Sequence, residues 1–162
     1  MNIDQVLDDV YDHETALAKQ LRTVAERHAA EHDVYHVGHA QARACGNRIE
    51  QLGPHAERHG TNRRTAPSSQ SPGLLDEVRH KSAELLGRSK TSGQLLLADL
   101  RELYLAAQAT ELAWTILLQA TRAVRDSDLL ETVTECQEQV ATCAKWVRTR
   151  IKETAPQVYA AG

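Results

Sequence analysis

Two glutamates, Glu14 and Glu111, fall where the hydrophobic pattern of two long helical stretches calls for an apolar residue. A carboxylate at such a position is costly to desolvate unless it is paired, hydrogen-bonded, protonated or bound to a cation. Counting outward from the helix turns sets Glu14 level with about Cys45, and Glu111 level with about Cys143. If the second and third helices run parallel, all four residues lie within about one helical turn, roughly 5 Å of height. One reading is a metal or redox centre at mid-bundle built from Glu14, Glu111, Cys45 and Cys143. The other is a buried polar layer, with the carboxylates bonded to Tyr11, Tyr104, Gln108 or water and the cysteines acting as small hydrophobes. The polar layer is the simpler of the two, because metal-ligand sets usually bring histidine as well.

Histidine is concentrated elsewhere. Six of the eight lie between His28 and His59, and His32, His36 and His39 step i, i+4, i+7 along one side of a helix. That spacing can present imidazoles to one ion, which adds His39 to the candidate metal ligands. These positions flank the apolar seam, so a polar helix face near a turn is the simpler account of them. No cofactor is otherwise expected; iron, manganese or zinc is the alternative. There is no Gly-rich phosphate loop, no GxSxG and no HExxH, so no complete catalytic constellation is present.

The elements that must position these residues are helices. The central stretch, residues 95 to 124, contains no Pro or Gly and carries the seam Leu97, Leu100, Tyr104, Ala107, Glu111, Trp114, Leu118 and Thr121. A second seam on roughly the opposite side, Leu95, Ala98, Leu105, Ala109, Leu112 and Ile116, calls for cover by a further element or a symmetric subunit interface. A first helix is expected over 3 to 28, opened by the reciprocal cap of Asn2 and Gln5, with Ile3, Leu7, Val10, Glu14, Leu17, Leu21, Val24 and His28 on its seam. A second is expected over 33 to 52, capped by Asp33, with Tyr35, Gly38, Ala42, Cys45, Ile49 and Leu52 inward, and ended or kinked by Gly53 and Pro54. Residues 60 to 93 then form a long crossover carrying a short extra helix over 74 to 86. A fourth helix is expected over 128 to 154, capped by Asp128 and Glu131, with Leu130, Val133, Gln137, Val140, Ala144, Val147 and Ile151 inward. The fold class is therefore all-α, an antiparallel four-helix bundle.

At 162 residues the chain reads as a single domain, 1 to 162, able to bury a core without disulfides or a structural metal. A net charge of -3 with interleaved acids and bases offers no basic face for nucleic acid. The acidic beginning and the polar residues within every long stretch give no signal for a leader or a membrane span. Three cysteines, an odd number without a CxxC pair, favour reduced thiols. The expectation is a soluble cytoplasmic protein, a homo-oligomer such as a dimer, with a protein partner and with neither nucleic acid nor membrane.

The two helical hairpins joined by a long crossover, with a Glu inward on the first and third helices, resemble the ferritin-like superfamily. VYDHETALAKQLRTVAERHA resembles the first helix of small bacterial stress-type members and of uncharacterised bacterial relatives. RIEQLG resembles the end of their second helix, and LYLAAQATELAW with KWVRTRIKETAPQ their second hairpin. The resemblance implies a di-iron site with one Glu from each of two helices and Glu-x-x-His from each of the other two. Glu14 and Glu111 match the lone glutamates. The second helix has Gly38, Ala42 and Cys45 inward, and the fourth has Val133, Cys136, Gln137 and Val140, so neither Glu-x-x-His is matched. The resemblance thus implies a ferritin-like bundle with a degenerate ligand set, acting through assembly or partner binding. The alternative is a metal-binding or redox protein with a non-standard centre around Glu14 and Glu111.

Overall fold

The computed structural model describes residues 2–60 and 91–161. Those residues form four α-helices and no strand: α1 (Ile3–Arg27), α2 (His32–Arg58), α3 (Ser92–Val124) and α4 (Ser127–Ala160). This all-helical arrangement is consistent with a four-helix bundle. The expected short helix over 74 to 86 and most of the crossover lie outside the described residues. No helix among those described is long and apolar enough to cross a membrane.

The caps explain where the helices begin. Asn2 and Gln5 satisfy each other's backbone amides at the start of α1, at 3.0 and 3.1 Å. Thr91 and Gln94 form the same reciprocal cap on α3, which therefore starts three residues before the expected 95. Asp126, rather than Asp128, caps α4 by accepting from the Leu129 amide at 3.0 Å. Asp33 does not cap α2 but lies inside its first turn, where it pairs with Arg150 Nε at 3.1 Å.

Two prolines just beyond expected helix ends, Pro54 after 52 and Pro156 after 154, are carried inside the helices. α2 continues through Pro54 to Arg58, and α4 through Pro156 to Ala160. Each proline withholds one amide from the carbonyl four residues earlier, at Glu50 and Lys152. Both of those residues are exposed, so water can take the place of the missing donor. Burial of Ala56 and a 3.0 Å contact between His55 Nε2 and Thr132 Oγ1 hold the extra turn of α2 in place.

α1 packs on α2 and on α3, and α3 packs on α4, while α2 and α4 make a lighter contact. Gly38 lets α2 approach α1 closely: a Cβ at this position would stand 3.0 Å from the Ala25 Cβ. Apolar side chains gather in two groups. One contains Leu17, Leu21, Val34, Leu100, Leu103 and Val147, and the other Val10, Leu52, Trp114, Leu117, Leu129 and Val133. Between the two groups lies a polar cluster centred on Glu14.

The observed seams correct the expected ones in detail. On α3 the buried positions are Leu96, Leu100, Leu103, Ala107, Thr110, Ala113, Trp114, Leu117, Leu118 and Thr121, so Leu100, Ala107, Trp114, Leu118 and Thr121 lie inward as expected while Leu97, Tyr104 and Glu111 are only half-buried. Thr110 can occupy the seam because its hydroxyl bonds back to the Ala106 carbonyl at 2.8 Å, whereas a carboxylate there would need a counter-charge. On α4, Cys136 and Cys143 lie on the seam itself, and Gln137 is turned aside to donate to Thr115 Oγ1 at 2.9 Å.

Candidate functional site

Glu14 projects from the middle of α1 into the centre of the molecule and is fully buried. Arg48, from α2, is fully buried against it. Arg48 Nε donates to Glu14 Oε1 at 2.6 Å and Nη2 to Oε2 at 2.9 Å, a bidentate pair. The third partner comes from α3: Trp114 Nε1 donates to Glu14 Oε1 at 2.6 Å. Arg48 Nη2 also reaches Cys45 Sγ at 3.3 Å, one helical turn earlier on α2. Its other terminal nitrogen, Nη1, is buried without a hydrogen-bond partner. Three helices are thus tied together by one carboxylate.

Burial alone would disfavour the guanidinium charge, but the bonds and the charge of Glu14 outweigh it and raise the Arg48 pKa above its ordinary value. Cys136 and Cys143 sit within the field of the same pair. Desolvation lifts the thiol of Cys143 to about 11 and that of Cys136 to about 12. Cys45 is pushed further upward, first by burial and then by the neighbouring Glu14 charge. All three are free cysteines that stay protonated near neutrality, so none is a ready nucleophile or thiolate ligand. The nearby cavity between α1 and α2, about 20 Å³ and lined by Leu7, Tyr11, Ile49 and Leu52 among others, touches none of the charged pair.

The structure therefore brings together three of the residues singled out in the sequence, Glu14, Cys45 and Cys143, and leaves two apart. Glu111 is half-buried on a different side of α3, where Oε2 accepts from Gln108 Nε2 at 3.2 Å. His39 is near the surface, with Nε2 2.8 Å from Glu26 Oε1 and its ring edge-on to Tyr35. His32 and His36 stack on each other, 6.4 Å between ring centres. Among the described residues, no three His, Cys, Asp or Glu side chains are gathered as a metal-binding group. The di-iron ligand set does not fit here: both Glu14 oxygens are held by Arg48, and Glu111 accepts from Gln108 on its own helix.

Arg48 is the functional residue that spacing alone does not reveal. Counting from the turn places Glu14 opposite Cys45; the real register places it opposite Arg48, one turn further along α2. A signal for it does exist in the sequence. A buried acid on one helix calls for a base within a turn of the matching height on its neighbour, and Arg48 is the only Lys or Arg between Arg43 and Arg58.

Smaller polar clusters fasten the ends of the helices. His28, at the end of α1, lies 2.7 Å from Asp99 Oδ2 on α3, and Arg27 Nη1 donates to both Asp99 oxygens at 2.9 Å. Burial would raise the Asp99 pKa, but the His28 bond and the Arg27 charge together hold it below the ordinary carboxylate value. At another corner, Asp126 meets both Arg58 Nη2 and His59 Nε2. Arg58 Nη2 donates to His55 Nδ1 at 2.6 Å, which leaves Nε2 to carry the ring proton towards Thr132. Burial and the Arg58 charge lower the His55 pKa, in keeping with that neutral tautomer. Apart from the Arg58–His55 contact within α2, these contacts join helices. In comparisons with known proteins, no family model, curated protein or solved structure matches the chain.

Proposed function

We propose that this protein is a ferritin-like four-helix bundle without a functional di-iron centre, acting through assembly or partner binding rather than catalysis. The observation that carries the reading is the bidentate Arg48–Glu14 pair, which puts a fixed cation where the first-helix glutamate of a di-iron protein would hold metal. A second cation bound at Glu14 would have to displace the guanidinium and strand it in the core, at a cost of several kcal/mol per ion.

The bundle topology is supported by positions that meet across helices. Glu14 meets Arg48 and Ala25 meets Gly38 between α1 and α2. Glu14 meets Trp114 and His28 meets Asp99 between α1 and α3. Thr115 meets Gln137 and Gly93 meets Val158 between α3 and α4. In each case the number rises on one helix as it falls on the other, the mark of an antiparallel pair. α2 and α3 then run parallel, which a long crossover would require. Three unpaired thiols suit a reducing, cytoplasmic setting.

The test is metal content per chain, measured by mass spectrometry on untagged protein before and after loading with iron, manganese or zinc. The expected result is no stoichiometric metal. About one or two equivalents that disappear in a Glu14→Gln, Glu111→Gln variant would overturn the reading in favour of a metalloprotein.

A further inference from the structure

The outer face of α3 is apolar and open. Leu105, Leu112 and Ile116 are 53%, 60% and 43% exposed, and Ala109 lies half-buried between them. Their steps along the helix are four, three and four, which is the spacing of a helix-pairing seam rather than a scatter of surface hydrophobes. The pattern is the same from either end. About a two-fold axis midway along this stripe, Leu105 of one copy falls opposite Ile116 of the other, and Ala109 opposite Leu112. A large side chain then meets a small one at the centre, and two large ones close each flank.

The match extends outward. One step beyond, Glu102 falls opposite Gln119 of the other copy, with Arg122 one turn further along. Arg122 Nη1 donates to Gln119 Oε1 at 3.4 Å, so its guanidinium lies along this same edge and within reach of an opposing Glu102. The pairing occurs twice by symmetry, as an isologous contact requires.

We propose that this face is the contact of a homodimer in which α3 packs antiparallel on α3 of a second copy. The inference rests on the association reading above and names its partner as the chain itself. A helix contact about 25 residues long and about 10 Å wide covers roughly 400 Å² per copy, below the ~800 Å² of a standard interface, which makes the contact a weak, reversible one to be sought at micromolar and higher concentrations.

The experiment is sedimentation equilibrium of the full chain from about 1 to about 200 µM, a range suited to such a contact. It is run beside Leu112→Glu, Glu102→Arg, Arg122→Glu and the Glu102→Arg, Arg122→Glu double variant. The wild type should pass from monomer to dimer across the range. Leu112→Glu should raise the Kd more than about tenfold while its urea midpoint, measured at a concentration where the wild type is monomeric, stays unchanged, since Leu112 is exposed in the single chain. Each charge variant should weaken the dimer, and the double variant should restore it. A wild type that stays monomeric overturns the proposal. A dimer indifferent to all four variants places the interface elsewhere and overturns it too. A Leu112→Glu chain that loses stability as a monomer shows the stripe to be covered within the chain, by residues 61–90, and likewise overturns it. A monomeric result combined with absent metal would leave the association reading intact with a different partner; stoichiometric metal would overturn that reading independently.

Discussion

Replacing Arg48 by Met would remove the guanidinium and keep most of the side-chain volume. Glu14, with no exposed surface, would retain a single donor, the Trp114 indole at 2.6 Å. Breaking a buried pair in this way costs about 3–5 kcal/mol, because a charge remains without its counter-charge. Against a total stability of about 5–15 kcal/mol, this is a large fraction. With a urea slope of about 2 kcal/mol per M, the unfolding midpoint should fall by about 2 M. The informative partner is the double variant Glu14→Gln, Arg48→Met. The amide oxygen of Gln can still accept from Trp114, and no unpaired charge remains, so the second substitution should recover at least about 2 kcal/mol of what the first lost. Urea unfolding at neutral pH, followed by far-ultraviolet circular dichroism, measures all three chains. A double variant no more stable than Arg48→Met would refute the reasoning, since stability would then depend on packing around Arg48 and not on charge pairing.

Two glycines of α2 should respond in opposite directions. Gly46→Ala adds a Cβ with no atom within 4 Å and should stabilise by about 0.5–1 kcal/mol, while Gly38→Val drives a branched side chain against Ala25 and the Leu21 carbonyl and should cost about 1–3 kcal/mol. Equal changes in melting temperature for the two would contradict the close approach of α1 and α2. Asp99 governs acid stability: because its folded pKa is depressed, its contribution is present above the ordinary carboxylate pKa of about 4 and is lost as pH falls through the lower folded value. Asp99→Asn should therefore destabilise at neutral pH by about 1–3 kcal/mol and flatten the stability curve below about pH 4; a variant curve parallel to the wild type throughout would discount the His28 and Arg27 contacts.

Helix identity is legible in the sequence because periodicity is local. The α1 seam is buried from Leu7 to His28 as its spacing implies, with Ile3 half-buried at the helix end, and Asn2 with Gln5 caps it. Proline is a weaker guide to boundaries, since Pro54 and Pro156 lie where the carbonyls they leave without a donor face solvent. The burial of Glu14 is legible as a chemical problem, an acid on an apolar seam. Its solution is not, because a turn-count error of three residues moves the facing position from Cys45 to Arg48. Glu111 looks equivalent to Glu14 in sequence, yet its neighbour Thr110, about 100° away around the helix axis, is the residue that is buried, while Glu111 sits at the half-buried margin of the same face.

An all-helical chain, the inward faces of its helices to within about one residue, and a carboxylate needing a partner can all be read from residue order, because each follows from spacing along one helix. Which partner the carboxylate finds is set by how the helices pack. Arg48, Glu14 and Trp114 lie on three helices, and their meeting depends on the register and rotation of those helices, which packing of the whole core fixes and no local pattern encodes.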